Sequence, residues 1–155
     1  MSQEDFTVAL GEIWEETPVI AHKSWQSRPF ENIEALYQAM VAIVNDMSEA
    51  EQLALINAHP DLGSRVKMAE ASVQEQAGVG LDRLSNEEYQ RFQSLNRSYK
   101  NKFGFPFIIA VKNHTRESIL TNFETRLENS PEQEKQQALA EISKIARFRL
   151  NSIIK

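Results

Sequence analysis

His59 is followed by Pro60-Asp61-Leu62-Gly63, and this run carries the side chain best suited to moving protons near neutral pH. Pro60 fixes its own φ and biases His59 away from the α conformation, so the preceding helix ends here and the imidazole sits on a corner. Asp61 and Gly63 add turn chemistry. Two roles suit such a histidine. It is a general acid or base, or it is a buried or helix-capping group whose nitrogens are satisfied by backbone. Metal ligation has little support, because His22 and His114 are distant in sequence and no His-x-x-x-His pair occurs.

A second group of candidates is Ser72-Val73-Gln74-Glu75-Gln76. On a helix Ser72, Glu75 and Gln76 share one face at i, i+3 and i+4, so a hydroxyl, a carboxylate and a carboxamide converge on whatever lies opposite. The same residues also fit a capping box or a solvated face. The third candidate is Arg149. With Ile142 at the origin of a helical wheel, Ile145, Ala146 and Ile153 define an apolar stripe. Arg149 falls about 20° from its centre and Arg147 about 140° away. A guanidinium cannot shed its charge. On a core-facing stripe it needs a structural carboxylate, an anionic ligand, or a stem that reaches water. Arg97 and Lys100 read as solvated charges, Asp61 as a turn residue, and Trp14 and Trp25 as core or rim packing.

Helices must position these groups. Phe6, Leu10, Ile13 and Trp14 give residues 5–15 a weak apolar face that Thr17-Pro18 breaks, and a loop through Trp25 and Arg28-Pro29-Phe30 is expected next. Ile33, Leu36, Tyr37, Met40, Val41 and Val44 recur at helical spacing. Ser48 with Glu51 forms a capping box that starts a helix running up to His59, and Ser85 with Glu88 forms another ahead of Tyr89, Phe92, Leu95 and Tyr99. Residues 116–127 carry Ile119, Leu120, Phe123 and Leu127. Ser130-Pro131 reads as an N-cap with proline at the first helical position, opening a helix that runs nearly to the end. The apolar run 105–111 follows a Gly-Phe-Pro break and has no partner strand. The expectation is an all-α, single-domain, compact multi-helix bundle over residues 1–155.

Composition narrows the function classes. Hydrophobic residues make up 41% and charged residues 25%, as in an ordinary globular domain, and the net charge of −5 comes without a basic run of the kind nucleic-acid binding needs. No apolar segment approaches a membrane span, and the N-terminus lacks a basic-then-apolar signal. The absence of cysteine excludes disulfides, thiolate nucleophiles and thiolate zinc sites, and it agrees with a cytoplasmic protein. The expected partner is a small molecule, not a nucleic acid or a membrane.

Seven segments then occur in order: Arg28-Pro29-Phe30, Ala58-His59-Pro60-Asp61-Leu62, Ser72-x-x-Glu75-Gln76, Gly80-Leu81-Asp82-x-Leu84, Leu95-Asn96-x-x-Tyr99, Phe103-Gly104-Phe105-Pro106-Phe107-Ile108 and Arg149-Leu150. Together they resemble the 2-oxo-4-hydroxy-4-carboxy-5-ureidoimidazoline (OHCU) decarboxylase family over about Phe6 to Ile153. One departure is Ala-Gly-Val-Gly-Leu after Gln76, where the family usually has Ala-Ser-Ala-Gly-Leu.

The resemblance implies decarboxylation of OHCU to (S)-allantoin, the step of urate breakdown after urate oxidase and hydroxyisourate hydrolase. It implies an all-helical, commonly dimeric enzyme that uses no cofactor. On matching positions His59 resembles the family's catalytic proton donor, with Glu75 and Arg149 as further catalytic candidates. Pro60, the segment Ser72, Val73, Gln74, Glu75 and Gln76, and the segment Phe107, Ile108, Ile109, Ala110 and Val111 resemble its substrate-contacting parts. Ser72 and Gln76 are expected to read the substrate's amides, and Arg149 or backbone amides near Phe107–Ile109 its anionic or carbonyl oxygens. Two other classes stay open on spacing alone: a helical binding module with a groove for a partner helix, and a hydrolase of a related ureide ring.

Overall fold

The computed structural model describes residues 2–63 and 70–154. Among them are eight α-helices and no strand. They are α1 (Gln3–Leu10), α2 (Val19–Ser24), α3 (Ile33–Asp46), α4 (Glu49–Asn57), α5 (Glu70–Gly78), α6 (Asn86–Phe103), α7 (Arg116–Arg126) and α8 (Pro131–Ile153). The all-α bundle is therefore as expected.

Local chemistry sets most of the boundaries. Ser48 and Ser85 each accept from the amide three residues on, and Glu51 and Glu88 reach back to the cap amide, so both expected capping boxes are present. Ser130 caps α8 with Pro131 in its first turn. Gly104 closes α6 in the left-handed conformation at φ +80°, where a Cβ is strained. The N-terminal region departs from expectation. The first helix stops at Leu10, yet Ile13 and Trp14 are still buried, because the turn after Gly11 folds them inward and the Trp14 indole N–H donates to Met40 Sδ at 3.3 Å. Residues 19–27, expected as loop, form α2, which packs on α1 and α3, and a 3-10 turn (Trp25–Ser27) that follows it. Their apolar residues are too few to show a period, so tertiary packing decides.

The longest helix, α8, packs against α3, α4 and α6. It buries Ala138, Ile142, Ala146 and Leu150, and Arg149 among them, whereas Arg147 is exposed and pairs with Glu34. Ile153, placed in the same stripe by the wheel, is 51% exposed because the last turn of α8 runs past the core. On the other side an aromatic cluster joins α6, α7 and the 105–111 run. Phe123 stacks on Phe107 at 3.8 Å between centroids and meets Phe92 and Tyr99 edge-on. This cluster anchors the run, every residue of which is buried. Phe123→Ala is expected to destabilise the fold by about 3–5 kcal/mol, read as a lower denaturation midpoint in guanidinium, since it leaves a cavity under that wall.

Candidate active site

The Cα trace leaves α4 at Asn57 and turns at Ala58 into His59-Pro60. The imidazole is buried, with Nδ1 2.9 Å from the Leu55 carbonyl. A carbonyl only accepts, so Nδ1 carries the proton, and the neutral ring has its lone pair on Nε2. The two roles open for this histidine thus divide between its nitrogens: one caps the helix, the other is left for chemistry. Burial is the main cause that pushes the His59 pKa down, to about 4. The Leu55 carbonyl and the negative Glu15 oppose that shift, and Arg149 adds to it. At neutral pH His59 is an uncharged base.

That shift has a measurable consequence. An unfolded histidine titrates near 6.5. Between there and about 4 the unfolded chain binds a proton that native His59 does not, so stability falls as pH drops through this window. The expected slope is up to about 1 kcal/mol per pH unit, and His59→Asn removes that component from urea melts taken across the same range.

Four hydrogen bonds fix the turn after His59. Gly63 adopts φ +68°, and a Cβ there would come within 2.7 Å of Leu84 Cδ1. Its N–H donates to Gln76 Oε1 at 3.0 Å, while Gln76 Nε2 donates to the Asp61 carbonyl at 3.3 Å. Asn96 Nδ2 holds the Leu62 carbonyl at 3.0 Å. Lys100 is bound to the Asp61 carboxylate at 2.8 Å, so Asp61 is a paired turn residue.

Ser72, Glu75 and Gln76 converge on one face of α5, as the helical reading expects. The capping-box reading of Ser72 is overturned, because Ser72 lies inside the helix and its hydroxyl donates to Glu15 Oε2 at 2.8 Å. Glu15, which follows the buried Trp14, was not among the candidates and is 1% exposed. Arg149 binds both acids. Its Nε and Nη2 grip Glu75 at 2.7 and 2.8 Å, and Nη2 also reaches Glu15 Oε2 at 2.8 Å and Ser72 Oγ at 3.1 Å. Its Nη1 donates to the Glu12 carbonyl at 3.2 Å. Burial disfavours the cation, but Glu75 and Glu15 outweigh it and hold its pKa above the usual arginine value. Of the alternatives for Arg149, the structure shows carboxylate pairing.

These groups meet at a cavity of about 350 Å³ with a mostly apolar lining. His59 and the half-buried Pro60 form one wall, Ser72, Gln74, Glu75 and Gln76 a second, Phe107 through Val111 a third, and Ile145, Phe148 and Arg149 of α8 a fourth. Val73 is the exception among the expected contacts. It is 41% exposed and outside the lining, because the residue after Ser72 turns about 100° away on α5. Ser72 and Gln76 line the cavity, and their polar atoms also bond Glu15, Arg149 and the Asp61–Gly63 turn. Among the described residues no group of three or more His, Cys, Asp or Glu is arranged to hold a metal ion.

An uncharged base, an anchored carboxylate and a backbone segment around an apolar pocket can bind a small polar ring and move one of its protons without bulk water. The comparisons agree with that chemistry. A family model described as OHCU decarboxylase matches residues 1–151. The chain is 45% identical over 151 residues to the 2-oxo-4-hydroxy-4-carboxy-5-ureidoimidazoline decarboxylase of Halalkalicoccus jeotgali, covering 97% of this chain and 86% of that one. It is 44% identical to the uric acid degradation bifunctional protein PucL of Bacillus subtilis over 99% of its own length and 31% of that protein. A crystal structure of (S)-allantoin synthase superposes with a TM-score of 0.81 at 34% identity, covering 99% of this chain and 51% of that one. A crystal structure of OHCU decarboxylase in the presence of (S)-allantoin superposes with a TM-score of 0.74 at 28% identity, covering 98% and 97%. With a match over nearly its whole length, this chain belongs to the OHCU decarboxylase family.

Proposed function

We propose that this chain is a cofactor-independent carboxy-lyase that converts OHCU to (S)-allantoin in urate degradation, and that residues 1–155 form one domain of a cytoplasmic homodimer. The observation that carries the reaction is the neutral His59, with Nδ1 tied to Leu55 and Nε2 left for a ligand, in the wall of a cavity that also presents the Glu75 carboxylate. The family membership selects decarboxylation over hydrolysis.

The substrate is its own electron sink. The bond to the carboxylate breaks, CO2 leaves, and the electron pair passes into the conjugated C=N of the ring. The ring nitrogen that receives the pair takes a proton from solvent, the hydroxyl gives up its proton as its carbon becomes a carbonyl, and the neighbouring carbon that bears the ureido group gains one. His59 Nε2, an acceptor at neutral pH, takes the hydroxyl proton. The imidazolium so formed, favoured by the nearby Glu15 charge, returns a proton to one face of the ring and sets the stereocentre. Glu75, held in a bidentate grip by Arg149, keeps lone pairs for a ureido or ring N–H. Arg149 acts mainly by placing that carboxylate, while Ser72 and Gln76 brace it and the His59 turn. Pro60 and the 107–111 segment supply the apolar faces and backbone groups around the ring.

Circular dichroism tests the reading directly. OHCU is generated in place from urate with urate oxidase and hydroxyisourate hydrolase, and the chain is expected to produce one allantoin enantiomer faster than buffer does. A trace that matches buffer overturns the decarboxylase reading. Sedimentation of the same protein at micromolar concentration is expected to give the dimer mass.

A further inference from the structure

Two buried charges behind the 105–111 wall lie outside the cavity lining and have no part in the mechanism above. Arg126 of α7 is 5% exposed, and Glu141 of α8 is 4% exposed. The Arg126 Nε donates to Glu134 Oε1 at 2.8 Å, an acid that is fully buried and also accepts from the Tyr99 hydroxyl at 2.6 Å and from Asn129 at 2.8 Å. Its guanidinium lies 4.3 Å from the Phe107 ring centroid, and Nη1 donates to the Ile108 carbonyl at 2.6 Å. Glu141 Oε1 accepts from the Ala110 N–H at 3.0 Å, and Oε2 is held by Gln137 and Lys144.

The two clamped groups flank Ile109. A trans peptide unit is planar, with its C=O and N–H on opposite sides. Drawing the Ile108 carbonyl toward Arg126 therefore aims the Ile109 N–H the other way. Drawing the Ala110 N–H toward Glu141 likewise turns the Ile109 carbonyl away from Glu141. Ile109 lines the cavity and the two clamping side chains do not. Among the described residues neither backbone group of Ile109 has a hydrogen-bond partner, although the residue is only 5% exposed. Buried backbone groups are almost always paired. A donor and an acceptor from one residue match the donor–acceptor edge of an amide or a ureide.

We propose that Arg126, with Glu134 beneath it, and Glu141 are positioning residues that orient the Ile109 amide and carbonyl toward a ureide-bearing ligand. The chemical class of that ligand rests on the reading given under Proposed function. A buried ion pair is generally no better for stability than apolar residues of similar volume. What distinguishes this arrangement is the backbone that it orients.

Amide hydrogen exchange on the 15N-labelled wild-type chain, with (S)-allantoin as the probe, tests this without turnover or mutation. The Ala110 amide is expected to be protected with or without allantoin. The Ile109 amide is expected to exchange freely without allantoin and to slow on its addition. An unprotected Ala110 amide, or an Ile109 amide that ignores saturating allantoin, overturns the proposal. In parallel, Glu141→Ala is expected to raise the allantoin Kd and the KM for OHCU by about tenfold, the effect of one misplaced hydrogen-bonding edge. Glu141→Gln keeps an acceptor for Ala110 and is expected to restore both to near wild type, a rescue that general destabilisation does not produce. Unchanged binding in Glu141→Ala overturns the proposal, and where that variant does not fold, the exchange pattern decides. Wild-type protein that fails to decarboxylate OHCU removes the proposed reaction but leaves the exchange result standing on its own.

Discussion

His59→Asn is expected to lower kcat for OHCU decarboxylation by about 10²–10⁴-fold, the usual contribution of one positioned acid or base. Asparagine retains an N–H for a backbone carbonyl of the kind Leu55 presents to Nδ1, so the end of α4 and the Pro60 turn keep their geometry. What is lost is the titrating nitrogen. The allantoin that does form is expected to be close to racemic by circular dichroism, because its proton arrives from solvent on either face. The pH dependence separates chemistry from folding. Wild-type kcat/KM is expected to fall on the acid side as His59 gains a proton, with its midpoint displaced below the usual histidine range toward about 4. The variant lacks that limb. A variant that keeps kcat within a few-fold of wild type and makes a single enantiomer assigns the proton transfer to another group.

Arg149→Met is expected to damage both stability and turnover. It removes the cation shared by Glu15 and Glu75. Glu15 is 1% exposed, so the loss resembles the breaking of a buried pair, about 3–5 kcal/mol. Glu75, with its side chain 31% exposed, adds less. For a chain of this length the drop in Tm is about 10 °C. The kcat/KM falls as well, because Glu75 is no longer held in one orientation. Arg149→Lys is expected to recover little, since an ammonium cannot reproduce the planar grip on one acid while reaching the second. Adding Glu15→Gln to Arg149→Met relieves the unpaired charge and is expected to return part of the lost Tm but not the activity. An unchanged Tm with only a raised KM instead makes Arg149 a direct ligand for the substrate.

The sequence by itself determined the elements with strong local signals. Capping boxes at Ser48 and Ser85, the Ser130-Pro131 start of α8 and the wheel position of Arg149 depend on residues within one or two helical turns, and the structure agrees with each. His59 on its proline corner and the shared face of Ser72, Glu75 and Gln76 were legible for the same reason. Only the tertiary structure decided which residues answer these groups. An arginine on a core stripe demands a carboxylate, yet nothing local says which of the chain's 22 acids supplies it, and Glu15 lies 134 residues away. Whether His59 is a donor or a base was equally out of reach, because its charge is set by how deeply the fold buries it and by which carbonyl takes Nδ1. The short α2 left no period to detect, and Val73 was grouped with its neighbours until the rotation of α5 placed it outside. Local hydrogen bonding and periodicity are written in adjacent residues, whereas ion pairing, desolvation and the facing of a wall arise only when distant segments are packed together.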